Sequence, residues 1–300
     1  MALNLPGPAA LMRCRQLGAT CTKVEPPAPR PSPPDLADAA GSRSGLGGDP
    51  MRQYSAVAYA ALHQGMRVVV IDLKTEPGRR RLQAALARTD VLITSFRPSA
   101  LEKLGLGWRA LQAAHPTLSQ VAIVGGPGAA AEAPGHDHTY MATAGLITGH
   151  GLPPTLHADM TGALQVTEAV LQLALCRRDG DTRGKHLEVA LSQAASYLAL
   201  PRAWGLTQPD GIVGGAHAGY GVYACRNGRV AVAALEPHFA QALCAAAGVA
   251  WAGAATMLRA DTRQAIADHL RGRTRAQLDR LAAAKDIPLH TLPPAPEAPG

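Results

Sequence analysis

Two short segments hold the residue types best suited to chemistry. Gly135-His136-Asp137-His138-Thr139-Tyr140 offers an imidazole, and Leu156-His157-Ala158-Asp159-Met160-Thr161-Gly162 offers a carboxylate, with a Gly/Pro-rich turn between them. Asp159 stands where an N-cap would, before the apolar-periodic run Ala163, Leu164, Val166, Ala169, Val170, Leu173. A carboxylate at a helix start faces unpaired backbone N–H groups and the positive end of the helix dipole. Those donors also suit an oxyanion forming beside it. An imidazole and a carboxylate converging there can pass a proton across a carbon acid, and the carboxylate alone can attack an acyl group. The same residue types have commoner uses. An Asp at a helix start is ordinarily a cap without chemistry, and His136 beside Asp137 is ordinarily a loop hydrogen-bonding pair. By themselves they assign no function.

The elements that must position these residues alternate along the first 200 positions. A helix is expected over Ala9–Leu17, stopped at Gly18, then a short strand at Cys21–Glu25 and a Pro/Gly/Ser-rich loop over Pro26–Pro50. Val68–Leu73 and Asp90–Ser95 read as strands buried on both faces, and Leu118–Val124 as a third. Thr75 caps a helix reaching about Arg88, with Pro77 in its first turn. A long helix is expected from about Met160 to Cys176, then a strand at His186–Leu191. This alternation predicts an α/β fold with a parallel sheet. Ligands of such sheets bind beyond the carboxyl ends of the strands. Lys74, Arg97 and the Gly125–Gly128 run all stand there. Lys74 and Arg97 are candidates for phosphate contacts, against the plainer alternative of solvated loop cations. The glycine run is not a dinucleotide fingerprint.

A domain of residues 1–200, a Gly/Pro-rich linker over 201–221, a small α+β domain over 222–292 and a disordered tail over 293–300 are expected. The small domain opens with a hairpin turning at Asn227-Gly228.

Hydrophobic residues make up 47% of the 300, so the chain can bury a sizeable core, but aromatics are only 4%, so Ala, Leu, Val and Ile must fill it. The formal charge of +7, carried mostly by Arg, suits a polyanionic ligand such as a coenzyme phosphate. No zinc-finger or aromatic-plus-basic pattern accompanies it, so no nucleic-acid partner is expected. Five scattered cysteines show no metal spacing, so no metal is expected and the thiols read as idle in a reducing compartment. No apolar run approaches a membrane span and no signal-peptide layout opens the sequence, so a cytoplasmic protein without a membrane partner is expected.

Taken in order, the residues resemble the family III coenzyme A transferases (CaiB/BaiF type), nearest to their α-methylacyl-CoA racemase branch. Leu5-Pro6-Gly7-Pro8, Lys23-Val24-Glu25-Pro26-Pro27, Asp72-Leu73-Lys74-Thr75 with Gly78-Arg79, and Asp90-Val91-Leu92 with Phe96-Arg97-Pro98 carry the first part. Pro134-Gly135-His136-Asp137 with Tyr140, Ala158-Asp159 with Gly162-Ala163, and Leu235-Glu236-Pro237-His238-Phe239 carry the rest. Upstream of Pro6 the family's first strand is mostly unmatched, and residues 28–46 are an insert.

The resemblance implies a Rossmann-like large domain that binds CoA, a small domain on long linkers, and two chains interlocked as a homodimer. It implies an acyl-CoA substrate and no prosthetic group. Asp159 matches the family's catalytic carboxylate. In transferases that group attacks the thioester, and in racemases it works as an acid/base with a histidine at the place of His136 on the other face of the α-carbon. Glu236 matches a glutamate supporting that histidine. Lys74, Arg97, Asp137 and Tyr140 are the expected CoA contacts. Inverting a stereocentre needs two bases in complementary protonation states, and a transferase has no evident need for His136. The pair therefore favours racemisation or epimerisation of a 2-methylacyl-CoA. CoA transfer through an Asp159 acyl-enzyme comes second, and an inactive acyl-CoA-binding homologue third.

Overall fold

Proline and small polar residues set the helix starts. Pro6 opens α1 (Pro6–Gln16), which ends where Gly18 takes φ +99°, and β1 follows (Thr22–Glu25). A computed structural model of the chain describes residues 1–28 and 47–295. All of the insert but Ala28, that is 29–46, and the end of the tail, 296–300, therefore lie outside the described residues. The chain forms two compact units, Met1–Ala199 and Leu200–Gly300.

In the first unit the order continues with α2 (Met51–Tyr54), α3 (Ala56–His63), β2 (Arg67–Val70), α4 (Glu76–Leu86) and β3 (Val91–Thr94). Then come α5 (Pro98–Lys103), α6 (Trp108–Ala114), β4 (Ser119–Val124), α7 (Asp137–Thr143), α8 (His157–Arg178), β5 (His186–Ala190) and α9 (Leu191–Leu198). The expected cap of α4 is present: Thr75 Oγ1 accepts from Gly78 N–H at 3.2 Å, with Pro77 in the first turn. Every strand pairing in this unit is parallel, as the alternation requires. The strands form two sheets rather than one, β1-β2 and β3-β4-β5.

β4 is buried along its whole length because strands flank it and helices cover it. One apolar layer joins Ile93, Val121 and Ile123 to Ala9, Ala10 and Leu11 of α1 and to Val166 and Leu173 of α8. The other joins Leu92 to Leu82 and Leu86 of α4 and to Leu101, Leu106 and Leu111. Alternate residues of β3 thus feed opposite layers, as strand geometry dictates. At Gly162 any Cβ would lie 2.3 Å from Leu191 Cδ2, so a larger residue there would have to turn the Leu191 side chain aside where α8 meets the start of α9.

In the second unit α10 (Leu200–Ala203) precedes β6 (Tyr220–Cys225), β7 (Gly228–Ala233), α11 (Pro237–Ala246), α12 (Ala260–Arg271), α13 (Arg275–Lys285) and β8 (Leu289–Leu292). The stretch 201–221 is not bare linker: it holds α10 and close turns such as Ala216 N–H to Gly211 O at 3.0 Å. The Asn227-Gly228 hairpin joins antiparallel β6 and β7, and Gly228 takes φ +158°. β8 adds as a third antiparallel strand. Val230, Val232, Leu243, Met257, Ile266, Leu270 and Leu278 form a core of their own. Cys14 is buried on α1, and Cys225 and Cys244 are buried in the second unit.

Candidate functional site

α8 begins at His157, three residues earlier than its apolar pattern suggests, with Leu156 at the N-cap. Asp159 is therefore the third residue of the helix and not its cap. It keeps the favourable dipole of the first turn. Its own N–H is already used: it donates to Asp137 Oδ1 at 2.9 Å. That backbone donor is thus withheld from any oxyanion, and the expectation of an open first turn is corrected at this position.

α7 supplies the partner. His136 is its N-cap residue, and Thr139 Oγ1 accepts from His136 N–H at 3.1 Å. This fixes the backbone at the helix start while the imidazole stays exposed. Asp137, next in line, is only 3% exposed and turned toward α8. A buried carboxylate raises the cost of ionising another beside it. Burial first, and the charge of Asp137 second, push the Asp159 carboxyl up to about 7. Burial and the nearby Asp159 also push the Tyr140 phenol above its ordinary value.

These groups share a cavity of about 160 Å³ beyond the carboxyl ends of β3 and β4. Arg97, His136, Tyr140 and Asp159 all line it, with Ser95 and Gly125. Gly125, of the run past β4, and Gly135, of the segment before α7, each make room for Tyr140: a Cβ at either would lie 2.5 Å from the phenol oxygen. Only bare glycines followed at a distance by an aromatic could have hinted at this.

Lys74 lies elsewhere. It lines an adjoining cavity of about 420 Å³ with Asp72, Leu73, Phe96 and Pro27. Phe96 lines both cavities. Lys74 and Arg97 are both exposed. Glu236 belongs to the second unit, where it is the exposed N-cap residue of α11, with no side-chain hydrogen bond to that helix.

A second polar group lies beneath β1. Lys23 Nζ reaches Asp49 Oδ2 at 2.5 Å, Glu25 Oε1 at 3.5 Å and His63 Nε2 at 3.0 Å, all essentially without solvent exposure. Tyr59 O–H donates to Glu25 Oε1 at 2.6 Å. His63 Nδ1 lies 2.7 Å from the Tyr59 carbonyl, which makes Nδ1 the donor and leaves Nε2 to accept from Lys23. Burial pushes the His63 imidazole below its ordinary value, in keeping with that neutral form. Glu25, Asp49 and His63 stand close enough to share one cation, and the ammonium of Lys23 is in that position.

The chain is 32% identical over 195 residues to α-methylacyl-CoA racemase of Mus musculus, covering 59% of this chain and 51% of that protein. It is 28% identical over 202 residues to the succinyl-CoA–L-malate CoA-transferase beta subunit of Chloroflexus aurantiacus, covering 61% and 49%. The chain spans about half the length of the curated relatives it matches. Its fold is that of the hypothetical protein Rv3272 of Mycobacterium tuberculosis, at a TM-score of 0.78 and 21% identity, over 100% of this chain and 91% of that one. The model of CoA-transferase family III matches residues 1–298, nearly end to end, and with the parallel α/β unit and the resemblance carried by motifs from Pro6 to Phe239 it shows that this chain belongs to CoA-transferase family III.

Proposed function

We propose that the protein acts on acyl-CoA thioesters and inverts the α-carbon of a 2-methylacyl-CoA by two-base proton transfer. The observation that carries this is Asp159: a half-buried carboxyl held near neutrality, lining one cavity with an exposed imidazole. A thioester α-proton is weakly acidic, and exchange at one carbon from two faces needs one protonated and one unprotonated group. A carboxyl near 7 holds and releases a proton with equal ease at neutral pH, so Asp159 can serve as acid or as base and the reaction can run in both directions.

In this reading one of the pair removes the α-proton and the other returns a proton to the opposite face. The intervening enolate is a developing oxyanion that needs donors. The Tyr140 hydroxyl lines the same cavity and serves that role or holds the thioester. Lys74 and Arg97 meet the CoA phosphates, with Phe96 as the wall shared by the two cavities. Asp137 acts from behind, fixing Asp159 rather than touching CoA. Glu236 supports His136, and the chain works as an interlocked homodimer.

A second reading is CoA transfer, with Asp159 attacking the thioester and carrying the acyl group. The Chloroflexus relative, named for CoA transfer from succinyl-CoA to malate, supports it. A carboxylate made more basic by its surroundings is also a better nucleophile. The two are separated by incubating the protein with a 2-methylacyl-CoA in D₂O and following the α-proton by mass spectrometry. Deuterium uptake that Asp159→Asn and His136→Ala each abolish supports proton transfer. Absence of exchange, with an enzyme-bound thioester trapped by hydroxylamine, supports transfer and removes the racemase reading.

A further inference from the structure

Among the described residues two that are not glycine have positive φ, Asn4 at +63° and Asp286 at +51°. Asp286 has a local reason: it takes the left-handed position that closes α13. Asn4 precedes α1 and closes no helix. A left-handed residue other than glycine persists only where its surroundings impose it, and such positions gather at functional sites. What holds Asn4 is the buried polar group beneath β1. Asn4 N–H donates to Asp49 Oδ1 at 3.0 Å, Met51 N–H donates to the same oxygen at 3.0 Å, and Asp49 Oδ2 takes the Lys23 ammonium. One residue earlier, Leu3 N–H donates to Ser95 Oγ at 2.9 Å and ties the segment to the end of β3.

Asn4 is half-buried and lines the cavity that His136, Tyr140 and Asp159 also line. Its backbone N–H is used, but its carboxamide nitrogen donates to nothing among the described residues. A carboxamide keeps two N–H donors at any ordinary pH. The chemistry proposed for this cavity places negative charge on the thioester oxygen, as an enolate in proton transfer or as a tetrahedral intermediate in acyl transfer. The Asp159 N–H is already bonded to Asp137, so the donors for that oxygen must come from elsewhere. The Tyr140 hydroxyl is one, and burial keeps its phenol protonated. A carbonyl oxygen has two lone pairs and takes a second donor as readily.

We infer that Asn4 is that second donor: its carboxamide N–H bonds to the thioester oxygen, and the bond strengthens as the oxygen gains charge. The inference rests on the acyl-CoA chemistry proposed above, in either of its two forms. Asn4 keeps its protons throughout and moves none. The buried Lys23–Asp49 pair then has a positioning role, since it fixes the Asn4 backbone without touching substrate.

Asparagine also enters left-handed backbone more readily than most side chains, so the test must part the carboxamide from the backbone. Asn4→Gly does this: glycine takes the same φ without strain and brings no donor. Parent and variant are incubated with a 2-methylacyl-CoA in D₂O; deuterium uptake, hydroxylamine-trapped acyl-enzyme and thermal melting are read on both. Whichever activity the parent shows is expected to fall about 10²–10³-fold in kcat in the variant, with KM within about threefold and no loss of melting temperature. A variant rate within about threefold of the parent would overturn the inference and leave the acyl-CoA reading standing. A parent with neither activity would remove that reading and this inference with it. Should Asn4→Gly melt well below the parent, Asn4→Asp is read instead, at the plateau of its own pH profile. It keeps the backbone and the side-chain shape but carries no N–H donor. The same loss then supports the inference, and an undiminished rate overturns it.

Discussion

The Asp137–Asp159 pair makes the site sensitive to pH in a defined direction. The folded carboxyl of Asp159 sits at about 7, above its value of 3.8 in an open chain. The folded state therefore holds this proton more tightly, and the stability it confers is complete below pH 4 and lost as pH rises through 7. Asp159→Asn cannot ionise. It is expected to be more stable than the parent by about 2–4 kcal/mol at pH 8, with the gap closing toward pH 4, while activity is abolished; urea unfolding across pH checks the first and turnover the second. Asp137→Asn removes a charge yet leaves an oxygen for the Asp159 N–H. The Asp159 carboxyl then falls, and the acidic limb of the pH–rate profile should move to lower pH, with kcat at its plateau within about tenfold of the parent. An unshifted limb would show that Asp159 is not the group being titrated. The type of residue at each of these positions was legible in the sequence, and so was the helix after Asp159. The role of Asp137 was not: a carboxylate 22 positions away that takes a backbone N–H leaves no periodic trace.

β1 shows the same limit at the level of an element. Its strand character was readable, but Lys23 and Glu25 alternate with Thr22 and Val24 so that the charged residues face inward. Alternation alone would put the charges in water. What reverses this is Asp49 and His63, one after the insert and the other at the end of α3, neither adjacent in sequence. Lys23→Met would leave Asp49 and Glu25 buried without their cation. It is expected to cost about 3–5 kcal/mol, the usual loss on breaking a buried pair from one side, read as a lowered urea midpoint. By contrast, Thr75, Pro77 and the β-branched run at Val68–Val70 act through local geometry, and the elements they specify fall where local geometry puts them. β8 was missed because Leu289–Leu292 is short and becomes a strand by pairing with β7.

For the molecule as a whole, each unit has its own apolar core, and that of the second unit draws only on residues from Ala218 to Leu289. A chain of residues 200–295 alone is expected to melt cooperatively and to keep the β6–β7–β8 hydrogen bonds; a broad, non-cooperative melt would show that its core needs the first unit. The change in sequence texture comes near 221, where strand–helix alternation gives way to the Asn227-Gly228 turn, while the structure divides earlier, between Ala199 and Leu200. The split of the parallel strands into two sheets was not legible, since nothing local marks where a sheet lacks a neighbour. The unpaired cysteines have a use that follows from this arrangement. Burial raises the pKa of Cys14 in the first unit and of Cys244 in the second, so both thiols are protonated and shielded while their cores are closed. Each becomes an alkylation reporter for its own unit, and the order in which the two are labelled under mild urea tells which core opens first without any engineered probe.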